Sequence, residues 1–191
     1  KSNNFIRKRS KNWYNNWNLK KMKNFKPYTS TRRHVVLSNK EHLWKGASEK
    51  SLTKKYIAKA GRNNAGRITS RHRGGGHKKK YRIIDFKRTK FDIPASVIHI
   101  EYDPIRTARI ALIEYDDKTK SYIIAPDKLK IGDTVISGEK VNIRIGNSLP
   151  LKNIPIGTVL HNIEMKPGKG AQIARSAGAS VNLLAIDSGK A

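Results

Sequence analysis

The 191-residue chain contains no cysteine, which excludes a disulfide framework and any zinc site built on thiolates. It is also short of acid. Only 14 Asp and Glu stand against 41 Lys and Arg, for a net charge of +27. A compact chain with that charge repels itself, so a polyanion is the expected neutralising partner. No run approaches the roughly 18 apolar residues of a membrane span, and no apolar core of a secretory signal is visible. Apolar residues make up 37% and aromatics 7%. That is low, but enough for one large or two small domains with a core.

The charge is unevenly placed. Residues 1–90 hold 28 Lys and Arg and three acids, a net of +25, whereas residues 91–191 hold 13 against 11, a net of +2. A basic arm joined to a nearly neutral globule favours nucleic acid over a generally adhesive surface. Residues 1–40 carry 12 Lys and Arg and no acid. They read as an ordered arm rather than a targeting presequence, with Trp13, Tyr14 and Trp17 as anchors on bases or on a neighbouring protein. Residues 41–60 have a weak helical or irregular pattern.

Residues 61–80, "GRNNAGRITSRHRGGGHKKK", have almost no apolar content and cannot form a core. Their glycines let backbone amides approach a phosphate closely. The Arg and Lys residues supply the electrostatic term, and Asn63, Asn64, Thr69 and Ser70 can bond phosphates or base edges. Such a loop is expected to take its shape from its partner. From Tyr81 the period changes to two, which predicts strands over 81–87, 95–102, 107–115, 120–125 and 134–137. Short strands about ten residues apart argue for a small antiparallel barrel. After the Pro/Gly linker at 146–157, further strands are expected at 158–165, 171–177 and 180–187.

Enzyme readings find little support. "GRNNAGRI" has the glycine spacing of a phosphate-binding loop, but Arg67 stands where that motif needs Lys and Ile68 where it needs a hydroxyl. His72 and His77 lack further ligands, and the surrounding positive charge opposes a cation, so no metal site is expected. His99 and His161 lie in strands and read as structural. Ser176 beside Arg175 has no base partner, so nucleophilic catalysis is not expected. No recognition helix with a basic face stands out for a DNA groove, and the adjoining barrel suits irregular or single-stranded RNA.

Four stretches then carry a resemblance: "RRHVV" (32–36), "GRNNAGRITSRHRGGGHKKKYRIIDFKR" (61–88), "EYDPIRTARIALI" (101–113) and "NIPIGTVLHNIEMKPGKGAQIARSAGA" (153–179). In collinear order they resemble the second large-subunit ribosomal protein, the L-two family, over about residues 30–187. The resemblance implies a mostly β fold: a basic extension (1–60), an RNA-binding loop with an oligonucleotide-binding-type barrel (61–142), and a partial SH3-like barrel (143–191).

It also implies a structural, non-enzymatic role. The chain would bind large-subunit ribosomal RNA, support its folding and subunit association, and support the peptidyl-transferase region. A free-standing RNA chaperone or RNA-processing factor is the alternative. The residues implied to meet RNA are Arg32, Arg33, His34, Arg62, Asn63, Asn64, Arg67, Thr69, Arg71, His72, Arg73, His77, Lys78, Lys79, Lys80, Arg82 and Arg88, with Lys166, Lys169, Arg175 and Ser176 in the second barrel. No cofactor is implied beyond magnesium associated with the RNA. Other large-subunit proteins are expected partners.

The family continues past the position of Ala191, whereas residues 1–30 match nothing in it. The expectation is that a second polypeptide supplies the rest of the barrel. A Lys/Asn/Ile-rich composition then points to a mitochondrial ribosome, with a plastid one as second choice.

Overall fold

The computed structural model describes residues 22–186, and Trp13, Tyr14 and Trp17, the expected aromatic anchors, lie outside them. The described chain falls into two units, one ending at His42 and one beginning at Leu43. In the first, β1 (Met22–Asn24) pairs antiparallel with β2 (Val36–Ser38), and a 3-10 turn at Arg32–His34 precedes β2. Both strands are exposed along their whole length. A two-stranded ribbon of this kind is marginal without a further surface to lie on.

The second unit is built on the period-two text. After β3 (Thr53–Lys55) and β4 (Lys80–Arg82) come β5 (Ala95–Glu101), β6 (Ile110–Tyr115), β7 (Lys120–Ile124) and β8 (Thr134–Val135). The last four form one antiparallel sheet in the order β7-β6-β5-β8, which curls into a half-barrel. Alternation along β6 sends Ala111, Ile113 and Tyr115 to one buried cluster with Val97, Ile123, Leu129 and Val135. Ile110 and Leu112 go to the other face, with Ile84, Ala108, Tyr122 and Ile124. Both faces of the central strand are therefore covered, so β6 is almost wholly buried rather than alternately wet and dry. The register of β5 against β6 shifts between Val97 and His99. This extra residue flips the parity, so that Ile100 packs on the same cluster as Val97.

Several expected strands are shorter than the pattern suggested. The run at 81–87 ends as a strand at Arg82, and beyond it only Ile84 bridges to Tyr122. In the C-terminal part, β9 (Val159–Leu160) pairs with β10 (Val181–Asn182). The expected strand at 171–177 is reduced to a bridge between Ile163 and Ile173. Gly157, Gly168, Gly170 and Gly178 all have positive φ, and each turns the chain out of a ladder that period-two text would otherwise extend. The region 41–60, expected to be helical or irregular, contains β3. That strand forms because β4 is there to pair with it: Thr53 faces Arg82 and Lys55 faces Lys80.

Buried polar groups tie the second unit together. The Tyr122 hydroxyl, on a residue with 0% exposure, donates to Glu101 Oε1 at 2.8 Å and accepts from the Glu49 backbone N–H at 3.0 Å. His99 Nε2 meets the same Glu101 oxygen at 2.8 Å, and its ring stacks on Trp44 with centroids 4.6 Å apart. His99 is thus a structural histidine with named partners.

Candidate nucleic-acid interface

The β3–β4 pair closes the base of the cationic loop, so residues 56–79 leave and return at neighbouring points of one short ribbon. The first part of this loop folds on itself. Asn63 N–H donates to Arg67 O at 2.9 Å, and Asn63 Oδ1 accepts from Arg67 N–H at 2.9 Å. Arg62 Nη1 donates to Gly66 O at 2.9 Å, and Arg62 bridges to Ile68. The Thr69 hydroxyl and the N–H groups of Thr69 and Ser70 converge on Gly61 O. Gly61 has φ +70, and a Cβ there would lie 2.1 Å from Ser70 O, so the turn admits no side chain at that position.

The expectation that a partner shapes the entire loop is therefore corrected for 61–70. The Asn63 carbonyl oxygen and the Thr69 hydroxyl serve the turn itself, while the side chains of Asn64 and Arg67 stay exposed.

Residues 71–79 differ. Every one is exposed, and among the described residues none makes a backbone–backbone hydrogen bond. His72 sits at φ +58 and His77 Nδ1 contacts Lys78 O at 2.9 Å. Among the described residues, Arg71, Arg73, Lys78 and Lys79 have no carboxylate partner. Four exposed cations beside backbone N–H groups without a backbone acceptor make a surface rich in donors for an external acceptor.

Where the loop rejoins the fold, Lys80 is exposed and Arg82 half-buried, with Arg82 Nη1 on Lys80 O at 2.9 Å. The stretch "EYDPIR" braces this point. Asp103, 1% exposed, holds Arg106 Nε at 3.0 Å. Arg106 Nη2 reaches Arg82 O at 3.3 Å, and its guanidinium lies over Tyr81 and Phe86 at 5.4 and 5.5 Å. These bracing residues were missed by the sequence reading. The Asp-x-x-Arg spacing in 103–106 was the available signal.

Arg88 differs from the other expected contact residues in its burial. Asp85 Oδ1 accepts from the N–H groups of Lys87 and Arg88 at 3.1 and 2.9 Å. The resulting turn puts Arg88 at φ +51 and aims it inward. It is 9% exposed, with Nε on Ser137 Oγ at 3.0 Å and Nη1 toward Gly146 O at 3.4 Å. Burial pulls its pKa below the ordinary arginine value. Its guanidinium is thus engaged by protein acceptors, whatever the charge density of its neighbours in sequence.

Lys166, Lys169 and Ser176 are exposed, in a segment fastened within the second unit. Ala171 N–H donates to Phe86 O at 3.1 Å, and Ala177 N–H to Thr107 Oγ1 at 3.2 Å. The Arg175 guanidinium lies 3.8 Å from the Phe86 ring centroid, a close cation–π contact on a half-buried side chain. In the first unit, Arg32, Arg33 and His34 are exposed on the 3-10 turn, and Arg32 and Lys23 flank Phe25 at 5.7 and 5.6 Å. Among the described residues, no group of three or more metal-ligating side chains comes together, and no helix is long and apolar enough to cross a membrane.

Comparison with known proteins now bears on this surface. Residues 49–137 match the family described as Ribosomal Proteins L2, RNA binding N-terminal domain, and residues 144–191 match Ribosomal Proteins L2, C-terminal domain. The chain belongs to the ribosomal protein L2 family. Among its relatives, the large ribosomal subunit protein uL2 of Rickettsia africae (strain ESF-5) and that of Rickettsia prowazekii (strain Madrid E) are each 64% identical over 170 residues. These 170 residues are 89% of this chain and 62% of each relative, so the chain spans under two thirds of their length.

The mostly β fold and its curled half-barrel agree with the oligonucleotide-binding-type and SH3-like architecture expected of the L2 family. The 61–80 loop lies within the N-terminal L2 match and Lys166–Ser176 within the C-terminal one. Arg32, Arg33 and His34 precede both matched spans.

Proposed function

We propose that the chain is a structural, non-enzymatic constituent of the large ribosomal subunit, binding large-subunit RNA and supporting its folding, subunit association and the peptidyl-transferase region. The observation that carries this reading is the exposed 71–79 segment, cationic and without internal backbone bonds, held at its base by β3–β4. Arg62, Arg67, Lys80, Arg82, Lys166, Lys169 and Arg175 extend the contact surface, together with Asn64, His72, His77 and Ser176. Arg32, Arg33 and His34 add a second patch. The division into an extension (1–60), a loop with an oligonucleotide-binding-type barrel (61–142) and a partial SH3-like barrel (143–191) belongs to the same proposal. Within it, β3 of the extension closes the loop of the next segment.

The finer placement is a mitochondrial ribosome, in company with other large-subunit proteins. Its support is the Lys/Asn/Ile-rich composition, while the relatives named above are bacterial. Val159 and Leu184, 66% and 80% exposed around β9 and β10, leave apolar surface there that contact with the large particle would cover.

The central test is charge reversal of Arg71, Lys78 and Lys79 to Glu in the full chain. Binding to large-subunit RNA should weaken about a hundredfold or more, and the slope of log affinity against log salt should fall by about 2 to 3. An unchanged slope would refute the reading. A free-standing RNA chaperone or processing factor would instead sediment apart from the large particle at low salt.

A further inference from the structure

The loop "EMKPGKG" (164–170) presents a paradox of charge. Lys166 and Lys169 face solvent, yet an acid, Glu164, sits at the loop's root. Its carboxylate accepts from the N–H of Gly168 at 2.9 Å and of Gly170 at 3.0 Å, one bond to each oxygen. Across the tip, Lys169 N–H donates to Lys166 O at 3.2 Å. Pro167 and Gly168, the latter at φ +74, occupy the two central positions that a type II turn demands. Gly170, at φ +92, lies 3.4–3.5 Å from Lys87 and Phe86 where a Cβ would project, and Ala171 N–H is fixed to Phe86 O at 3.1 Å. The loop is thus pinned at one end to the Phe86–Lys87 segment and closed on itself by a carboxylate. Neither lysine forms an ion pair with that carboxylate or any other among the described residues.

Two convergent glycine amides of this kind form an anion-binding concavity, and here the protein fills it with its own anion. We infer that Glu164 is a positioning residue for RNA binding: by occupying the Gly168/Gly170 amides it holds Lys166 and Lys169 outward as a preformed pair of phosphate contacts. The inference rests on the RNA-binding reading above. It makes a prediction opposite in sign to simple electrostatics. Removing an acid from a surface that binds a polyanion should strengthen binding if charge alone counts. If Glu164 organises the loop, removal weakens binding, because the lysines must then be ordered at the moment of contact.

The test uses the full chain, end-labelled in vitro transcribed large-subunit ribosomal RNA, and filter binding across a salt series. Glu164→Ala should bind about tenfold more weakly, with the salt slope reduced by about 1.5, equivalent to two lost phosphate contacts. Glu164→Gln keeps one acceptor oxygen and should fall between Glu164→Ala and the parent, which keeps the test informative where the alanine variant folds poorly. Asp116→Ala removes the same charge from an exposed acid in the turn between β6 and β7 and should bind as the parent does or slightly tighter. In a Lys166→Ala/Lys169→Ala background, the effect of Glu164→Ala should vanish. Parent-like or tighter binding by both Glu164 variants overturns the inference, as does an undiminished loss in the double-lysine background. Failure of the parent chain itself to show salt-dependent binding would instead sink the RNA-binding reading.

Discussion

Replacing Tyr122 by Phe isolates the polar knot at the centre of the second unit. The substitution keeps the ring and its packing against Ile84, Leu112 and Ile124 and deletes one oxygen. That oxygen is fully buried, donates to Glu101 Oε1 at 2.8 Å and accepts from Glu49 N–H at 3.0 Å. The bond to the carboxylate is charge-assisted, worth ~1.5–3 kcal/mol, and the bond from the amide about 1 kcal/mol. Glu101, 4% exposed, keeps its contact with His99, which offsets part of the loss. The expected destabilisation is therefore ~2–3 kcal/mol. Urea unfolding followed by far-UV circular dichroism should show the midpoint falling by about 1 M at an unchanged slope of about 2 kcal/mol per M.

Alkaline pH supplies a second reading of the same group. Burial raises the Tyr122 phenol well above its ordinary value of 10.0, the Glu101 carboxylate adding to the effect. A raised phenol favours the folded state below the unfolded pKa and loses that advantage as pH climbs above it. The parent's margin over Tyr122→Phe should therefore shrink above pH 10, by up to about 1.4 kcal/mol per pH unit. A stability change under about 0.5 kcal/mol at neutral pH would refute the assignment of this hydroxyl to the core network.

Arg88→Met separates a structural cation from a binding one. Leaving Ser137 Oγ and Gly146 O without their donor should cost about 1–3 kcal/mol in urea unfolding. The salt slope for RNA should not change; a fall of about 1 would restore Arg88 to the interface. His161 gives a pH signature: burial, then the Arg88 charge, lowers its pKa below 6.5. A depressed histidine contributes stability above the unfolded pKa and loses it as pH falls. The parent should therefore lose stability relative to His161→Gln as pH falls below about 6.5, and parallel curves for the two proteins would contradict this.

The amino-acid text determined the β class, the placement of β5, β6 and β7, and the family, because period-two alternation and turn residues are local signals. It also located the cationic glycine loop, since no core can form from "GRNNAGRITSRHRGGGHKKK" in any fold. Only the tertiary structure decided the rest. β3 exists because β4 returns to it after a 24-residue excursion, which no window over 41–60 contains. Arg88 and Lys87 are neighbours in one basic run, yet an Asp85-capped turn sends one into the core and leaves the other exposed. Glu49, Glu101 and Tyr122 are far apart in sequence and share one hydroxyl. Local patterns decide which residues want burial or a strand; long-range closure decides which of them find partners.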